Sequence, residues 1–76
     1  MPVRWLPIER RPDRVRVVAY TCECRSLVFE HCMAGGQSFI RRYDRSTPSP
    51  NIMESPRMRV VDAMALWRQL MNGEAR

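Results

Sequence analysis

The sequence has no lysine, and all thirteen of its basic residues are arginines. With eight acidic residues the formal net charge is +5, which favours acidic or phosphate-bearing partners because basic side chains release the counterions of a polyanion. An all-arginine set also arises from codon usage, in which case the excess describes the genome rather than the function. The charge therefore narrows the choice of partner without identifying one.

Long apolar runs are also missing, and cysteines are few. No stretch approaches the roughly 18 apolar residues of a membrane span, and the first residues lack the apolar core of a signal peptide. Three cysteines, an odd number, do not suggest a disulfide framework. The sequence thus predicts a cytoplasmic protein with reduced thiols and no membrane partner.

Residues suited to catalysis are scarce, since the chain has one histidine and three glycines. A nucleophilic pair would have to combine His31 with Cys24 or Cys32, and adjacent residues rarely face each other productively. Gly35 and Gly36 form an isolated pair rather than a phosphate-binding loop. We therefore expect a protein that is not an enzyme and has no cofactor, unless it binds zinc.

Zinc is the one cofactor that the sequence suggests, because four possible zinc ligands fall within eleven residues. These donors are Cys22, Cys24, His31 and Cys32. Residues i and i+2 on a regular strand stand about 6.5 to 7 Å apart, whereas sulfurs on one tetrahedral zinc lie closer together. The spacing also differs from the usual pair of cysteines two to four residues apart. The alternative is that these small thiols fill the core.

The first half of the chain is predicted to be extended. Prolines recur through residues 1–13, which excludes a helix and indicates an extended arm whose Trp5 closes over the protein's own core. Alternating valines predict a strand at 14–22. For 26–34 we favour a short helix that begins at Ser26 and ends at Gly35, with a strand as the alternative.

The second half combines a strand, a loop and a helix. Residues 37–43 are predicted to form a strand with Phe39 or Ile40 facing inward. The segment 44–56 is rich in Ser, Thr and Pro and is predicted to form a loop. Ser55 and Pro56 then predict a helix over 57–72, capped by Gly73. Its apolar face consists of Val60, Ala63, Met64, Trp67, Leu70 and Met71.

Together these elements predict one small α+β domain covering residues 1–76. We expect a small antiparallel sheet of two or three strands, a short central helix or strand, and a C-terminal amphipathic helix packed on the sheet. The helix stripe is wider than one small sheet needs, which suggests either ordinary packing or a self-association surface.

The function that the sequence favours is a small non-enzymatic binding or regulatory protein. A basic arginine surface and the apolar helix face would engage a protein or nucleic-acid partner, or a second copy in a homodimer. The candidate contact residues are Arg14, Arg16, Arg41, Arg42, Arg45 and Trp67. The alternative function is a zinc-stabilised nucleic-acid-binding module that uses Cys22, Cys24, His31 and Cys32.

Overall fold

In the computed structural model, which describes residues 3–8, 14–21, 26–49 and 51–73, an antiparallel sheet carries a C-terminal helix. The elements in chain order are β1 (Leu6–Pro7), β2 (Arg16–Tyr20), β3 (Leu27–Ala34), β4 (Gln37–Asp44), β5 (Asn51–Glu54) and α1 (Val60–Met71). Their order across the sheet is β1-β5-β4-β3-β2. The α+β class is as predicted, but the prediction of two or three strands is wrong because the sheet has five.

The centre of the sheet is the hairpin of β3 and β4. All eight residues of each strand are paired, from Leu27 with Asp44 to Ala34 with Gln37. Gly35 and Gly36 connect the strands and have positive φ values of 57° and 76°. Positive φ at both central positions matches a type I′ turn, whose twist suits a two-residue hairpin and which glycine adopts without strain.

The helix favoured for residues 26–34 is therefore wrong, and the strand alternative is what forms. Val28 and Phe29 prefer strands, and pairing with β4 along the whole length outweighs the weak helix signals at either end. Gly35 serves as a turn residue rather than as a helix stop.

Two short strands complete one side of the sheet. Asn51–Glu54 lies within the segment predicted as a loop and pairs with β4 from Arg41 to Asp44. Leu6–Pro7, within the predicted arm, pairs with β5 and forms the edge. The two strands are two and four residues long, which is too short for a periodic sequence pattern to predict them.

On the opposite side, β2 confirms the predicted strand with shorter bounds. It pairs with β3, and the register shifts between Val17 and Ala19. Val18 is therefore the extra residue of a β-bulge, a feature that changes the direction of side chains. Within the described residues, β2 forms the second edge of the sheet.

The helix α1 is shorter than the predicted 57–72. Met58 is still extended and exchanges two backbone hydrogen bonds of 2.8 Å with Ser38 of β4, so the helix begins only after Arg59. At the other end Gly73 has φ of 74° and donates to the Leu70 carbonyl, which confirms the predicted cap. Within the described ranges, no helix is long and apolar enough to cross a membrane.

Ser55 does not cap the helix as predicted. It is buried, and its hydroxyl accepts a 2.9 Å hydrogen bond from the backbone N–H of Ile40, while its own N–H donates to the Ile40 carbonyl. Ile40 is fully buried and packs against Leu70 of α1. The Ser55 hydroxyl thus satisfies a backbone donor where the helix contacts the sheet.

We predict that Ser55→Ala destabilises the protein by about 1 to 3 kcal/mol, because the buried Ile40 N–H loses its acceptor. The matched control is Ser49→Ala at an exposed position, which should change stability by less than about 0.5 kcal/mol. Chemical denaturation of both variants measures the difference. Equal midpoints for the two variants would contradict the role assigned to the hydroxyl.

Candidate functional site

The two faces of the sheet have different surroundings. Pairs of residues opposite each other on β3 and β4 share a face, so His31 and Ile40 lie on the side that α1 covers. Cys32 and Phe39 lie on the other side, which we call the far face. Neighbours along one strand therefore belong to different environments.

On the far face, Arg41 lies among polar side chains that neutralise its charge. Its guanidinium is 3.8 Å from a carboxylate oxygen of Glu30 and 3.4 Å from one of Glu54, and it donates a 3.5 Å hydrogen bond to the Tyr43 hydroxyl. The Arg41 side chain is only 19% exposed. These contacts make Arg41 part of the packing rather than a free cation.

Arg42 points to the helix side, so the arginine pair does not form one patch. Its guanidinium carbon lies 5.5 Å from the centre of the Trp5 ring, and its Nη2 lies 3.8 Å from Asp44. Trp5 also packs against Phe29, with ring centres 5.9 Å apart. The expectation that Trp5 closes over the protein's own core is confirmed.

The other proposed contact residues are spread over the surface. Arg14 and Arg16 are exposed at the start of β2. Arg45 is exposed directly after β4 and donates its backbone N–H to the Ser26 carbonyl. Aromatic rings can stack on nucleic-acid bases only where they are exposed, and Phe39 is fully buried whereas Tyr20 is 69% exposed. The structure thus does not bring Arg41, Arg42 and Arg45 into a single phosphate-binding surface.

Of the four proposed zinc ligands, the two that the structure describes do not lie on the same side of the sheet. His31 and Cys32 are consecutive on β3 and project from opposite faces, so one ion cannot bind both. Burial raises the pKa of Cys32 to about 11, which disfavours the thiolate that zinc needs. Cys22 and Cys24 lie outside the described residues, and within the described part of the chain no group of His, Cys, Asp and Glu is suited to a metal. A site built on Cys22 and Cys24 stays a prediction.

An open apolar groove lies between α1 and the end of the sheet formed by β2 and β3. It has a volume of about 500 Å³. The residues that line it are Val18, His31, Met33, Val60, Met64, Trp67, Arg68 and Met71, and we call it the α1–β2 groove. It exists because α1 packs on β4 and β3 rather than on β2. Its size and lining are typical of sites that receive a small ligand or the side chains of a partner.

His31 and Trp67 both line the groove, and their rings pack against each other. Their rings stack with centres 5.8 Å apart and planes inclined by 30°. His31 is 6% exposed, and its Nε2 has no hydrogen-bond partner among the described residues. Burial lowers the pKa of His31 from its ordinary value, so the ring is neutral near pH 7.

Part of the groove belongs to the helix face that is predicted to pack on the sheet. Helical periodicity correctly grouped Met64 and Met71 with the packed residues Ala63 and Leu70, yet the two methionines are 52% and 44% exposed. Periodicity identifies a face but does not tell how much of it the sheet covers. The excess width of the stripe and the break in alternation at Val18 were the available signals.

Compared with protein-family models, curated proteins and solved structures, the chain matches no family model, no curated protein and no solved structure. The site must therefore be interpreted from its own geometry.

We predict that Arg41→Met destabilises the protein by about 1 to 3 kcal/mol, because Glu30 and Glu54 lose their charged partner in a partly buried site. The matched control, Arg14→Met, removes an exposed charge and should be nearly neutral. Urea unfolding of both variants is the measurement. A neutral effect of Arg41→Met would mean that the cluster is solvated.

We also predict that stability falls as the pH is lowered from 7 towards 5. The lowered pKa of His31 means that below about 6.5 the unfolded chain takes up a proton that the folded protein does not, which favours unfolding by at most ~1.4 kcal/mol per pH unit. His31→Phe keeps a ring against Trp67 and removes the titration, so the slope should flatten in that variant. Thermal melts across this range test the prediction, and an unchanged slope would contradict it.

Proposed function

We propose that the protein is a non-enzymatic protein-binding module whose partner docks in the α1–β2 groove. The observation that carries the proposal is the exposure of Met64 and Met71 beside Val18, which is 45% exposed. Exposed apolar side chains that lie side by side and line a groove are typical of interaction sites. A cytoplasmic location, favoured by the cysteine content, belongs to the same proposal.

The composition of the groove suits a protein partner. Methionine side chains adapt their shape to an incoming surface, and tryptophan and arginine are frequent at the centres of interfaces. Trp67 and Arg68 supply both kinds of side chain next to Met64. The described lining of the groove holds no hydroxyl, thiol or carboxylate that could form a catalytic pair with His31.

Nucleic acid is the weaker candidate. Arg41 and Arg42 point to opposite faces and are engaged by carboxylates, so their charges contribute little to binding phosphates. Exposed arginines elsewhere give attraction to polyanions without a stacking platform of grouped aromatic rings. Net charge alone supports non-specific contact.

The test of the proposal is Met64→Glu, which places a charge in the groove at a half-exposed position. We expect the variant to fold normally and to lose the partner that the wild-type protein captures from an extract of its native host, with capture unaffected by nuclease. The loss should be at least about tenfold, since a buried unpaired carboxylate opposes docking. The captured partner is identified by mass spectrometry.

The matched control is Ala65→Glu, which adds the same charge to the next helix position, exposed and outside the groove. This variant should capture the partner as the wild type does. Capture that disappears on nuclease treatment, or that survives Met64→Glu, would refute a protein-binding groove. Titration with random-sequence DNA at several salt concentrations then measures the alternative.

A further inference from the structure

The outer edge of β2 is open in the part of the chain that the structure describes. Val17, Val18 and Tyr20 are 41%, 45% and 69% exposed, so apolar side chains on both faces of this strand reach the solvent. The Thr21 N–H donates to the Phe29 carbonyl on β3 over 2.9 Å. Because successive residues of a strand point their peptide groups to opposite sides, those of Tyr20 point away from β3 and can pair with an added strand.

This edge adjoins the α1–β2 groove. Val18, the extra residue of the bulge, lines the groove, and Arg16 is paired with Met33, another residue of the lining. A strand added beside β2 would therefore direct alternate side chains towards the space between β2 and α1. Backbone pairing and the apolar groove together form one continuous surface.

The charges around this surface select the occupant. All acidic side chains of the described residues, namely Glu30, Asp44, Glu54 and Asp62, already lie within 4 Å of an arginine. None of them pairs with Arg16 or Arg68, which flank the groove from the sheet and from α1. A second copy of the chain would bring the same arginines, which no described carboxylate pairs with, whereas an acidic partner would neutralise them.

From this geometry we infer that the partner supplies an extended acidic segment that adds to the open edge of β2. An apolar side chain of the segment fills the α1–β2 groove, and a carboxylate two residues away lies beside Arg16 or Arg68. The inference rests on the proposed protein-binding function and specifies the conformation and charge of what is bound.

The experiment selects binders to the full chain from a phage library of random linear peptides. We expect enriched peptides to carry an acidic residue two positions from a large apolar one. Synthetic versions should bind wild type and Ala65→Glu equally and should fail to bind Met64→Glu. The double variant of Arg16→Glu and Arg68→Glu removes either possible partner of the carboxylate and should weaken binding roughly tenfold, as expected when an exposed ion pair is converted to repulsion.

Strand addition itself is tested by N-methylation of the peptide. Methylating alternate amides in one register should weaken binding at least about tenfold, and in the other register hardly at all, because one set of N–H groups faces β2 and the other faces water. Equal effects in both registers would overturn strand addition. Chemical-shift changes at Val17 and Tyr20 amides locate the peptide directly.

The outcomes separate the two proposals. Peptides that depend on Met64 but not on charge or amide register would overturn the acidic strand and leave the protein-binding function standing. Enriched peptides indifferent to Met64→Glu, or no enrichment at all, would overturn the inference, and the extract capture decides the function independently. A dimer of the isolated protein that Met64→Glu dissociates would instead identify a second copy as the occupant.

Discussion

The pairing of β3 with β4 across two glycines is the constraint on which the rest of the structure depends. Once Gly35 and Gly36 turn the chain, each strand offers its other edge to a neighbour, β5 on one side and β2 on the other. The same pairing fixes Ile40 on the side where α1 and Ser55 meet it. A one-residue slip would exchange the two faces and expose the core, so the register is strongly specified.

The register also divides the arginines into two roles. Arg41 and Arg42 are consecutive, but one is directed into the carboxylate cluster of the far face and the other onto the Trp5 ring. They contribute to packing, because each guanidinium covers apolar surface while its charge is matched nearby. Arg16 and Arg68 lie beside the groove and form no ion pair with a described carboxylate. The net charge of the chain does not distinguish arginines that pack against the protein from arginines that are exposed.

Local patterns predicted those elements whose signal is contained in their own residues. The strand Gln37–Asp44 and the apolar stripe of α1 were anticipated in this way, because period and turn residues fall within each segment. Leu27–Ala34 was not, since its propensities are balanced and pairing with a neighbour decides the outcome. Ser55 was predicted to be a helix cap because the sequence around it does not show the real partner of its hydroxyl, which is fifteen residues away. The groove was missed for a similar reason, as exposure of Met64 depends on where α1 sits.

The two edges of the sheet differ in what they allow. On the β1 side, the edge is two residues long and contains Pro7, which has no N–H to donate to a further strand. Short edge strands and proline are two of the means by which natural sheets prevent edge-to-edge pairing with other molecules. Among the described residues, β2 is therefore the edge that can accept a further strand, and a sheet with one such edge adds one strand or pairs with one other molecule. Strand addition at β2 would end after that one step instead of continuing into a fibre.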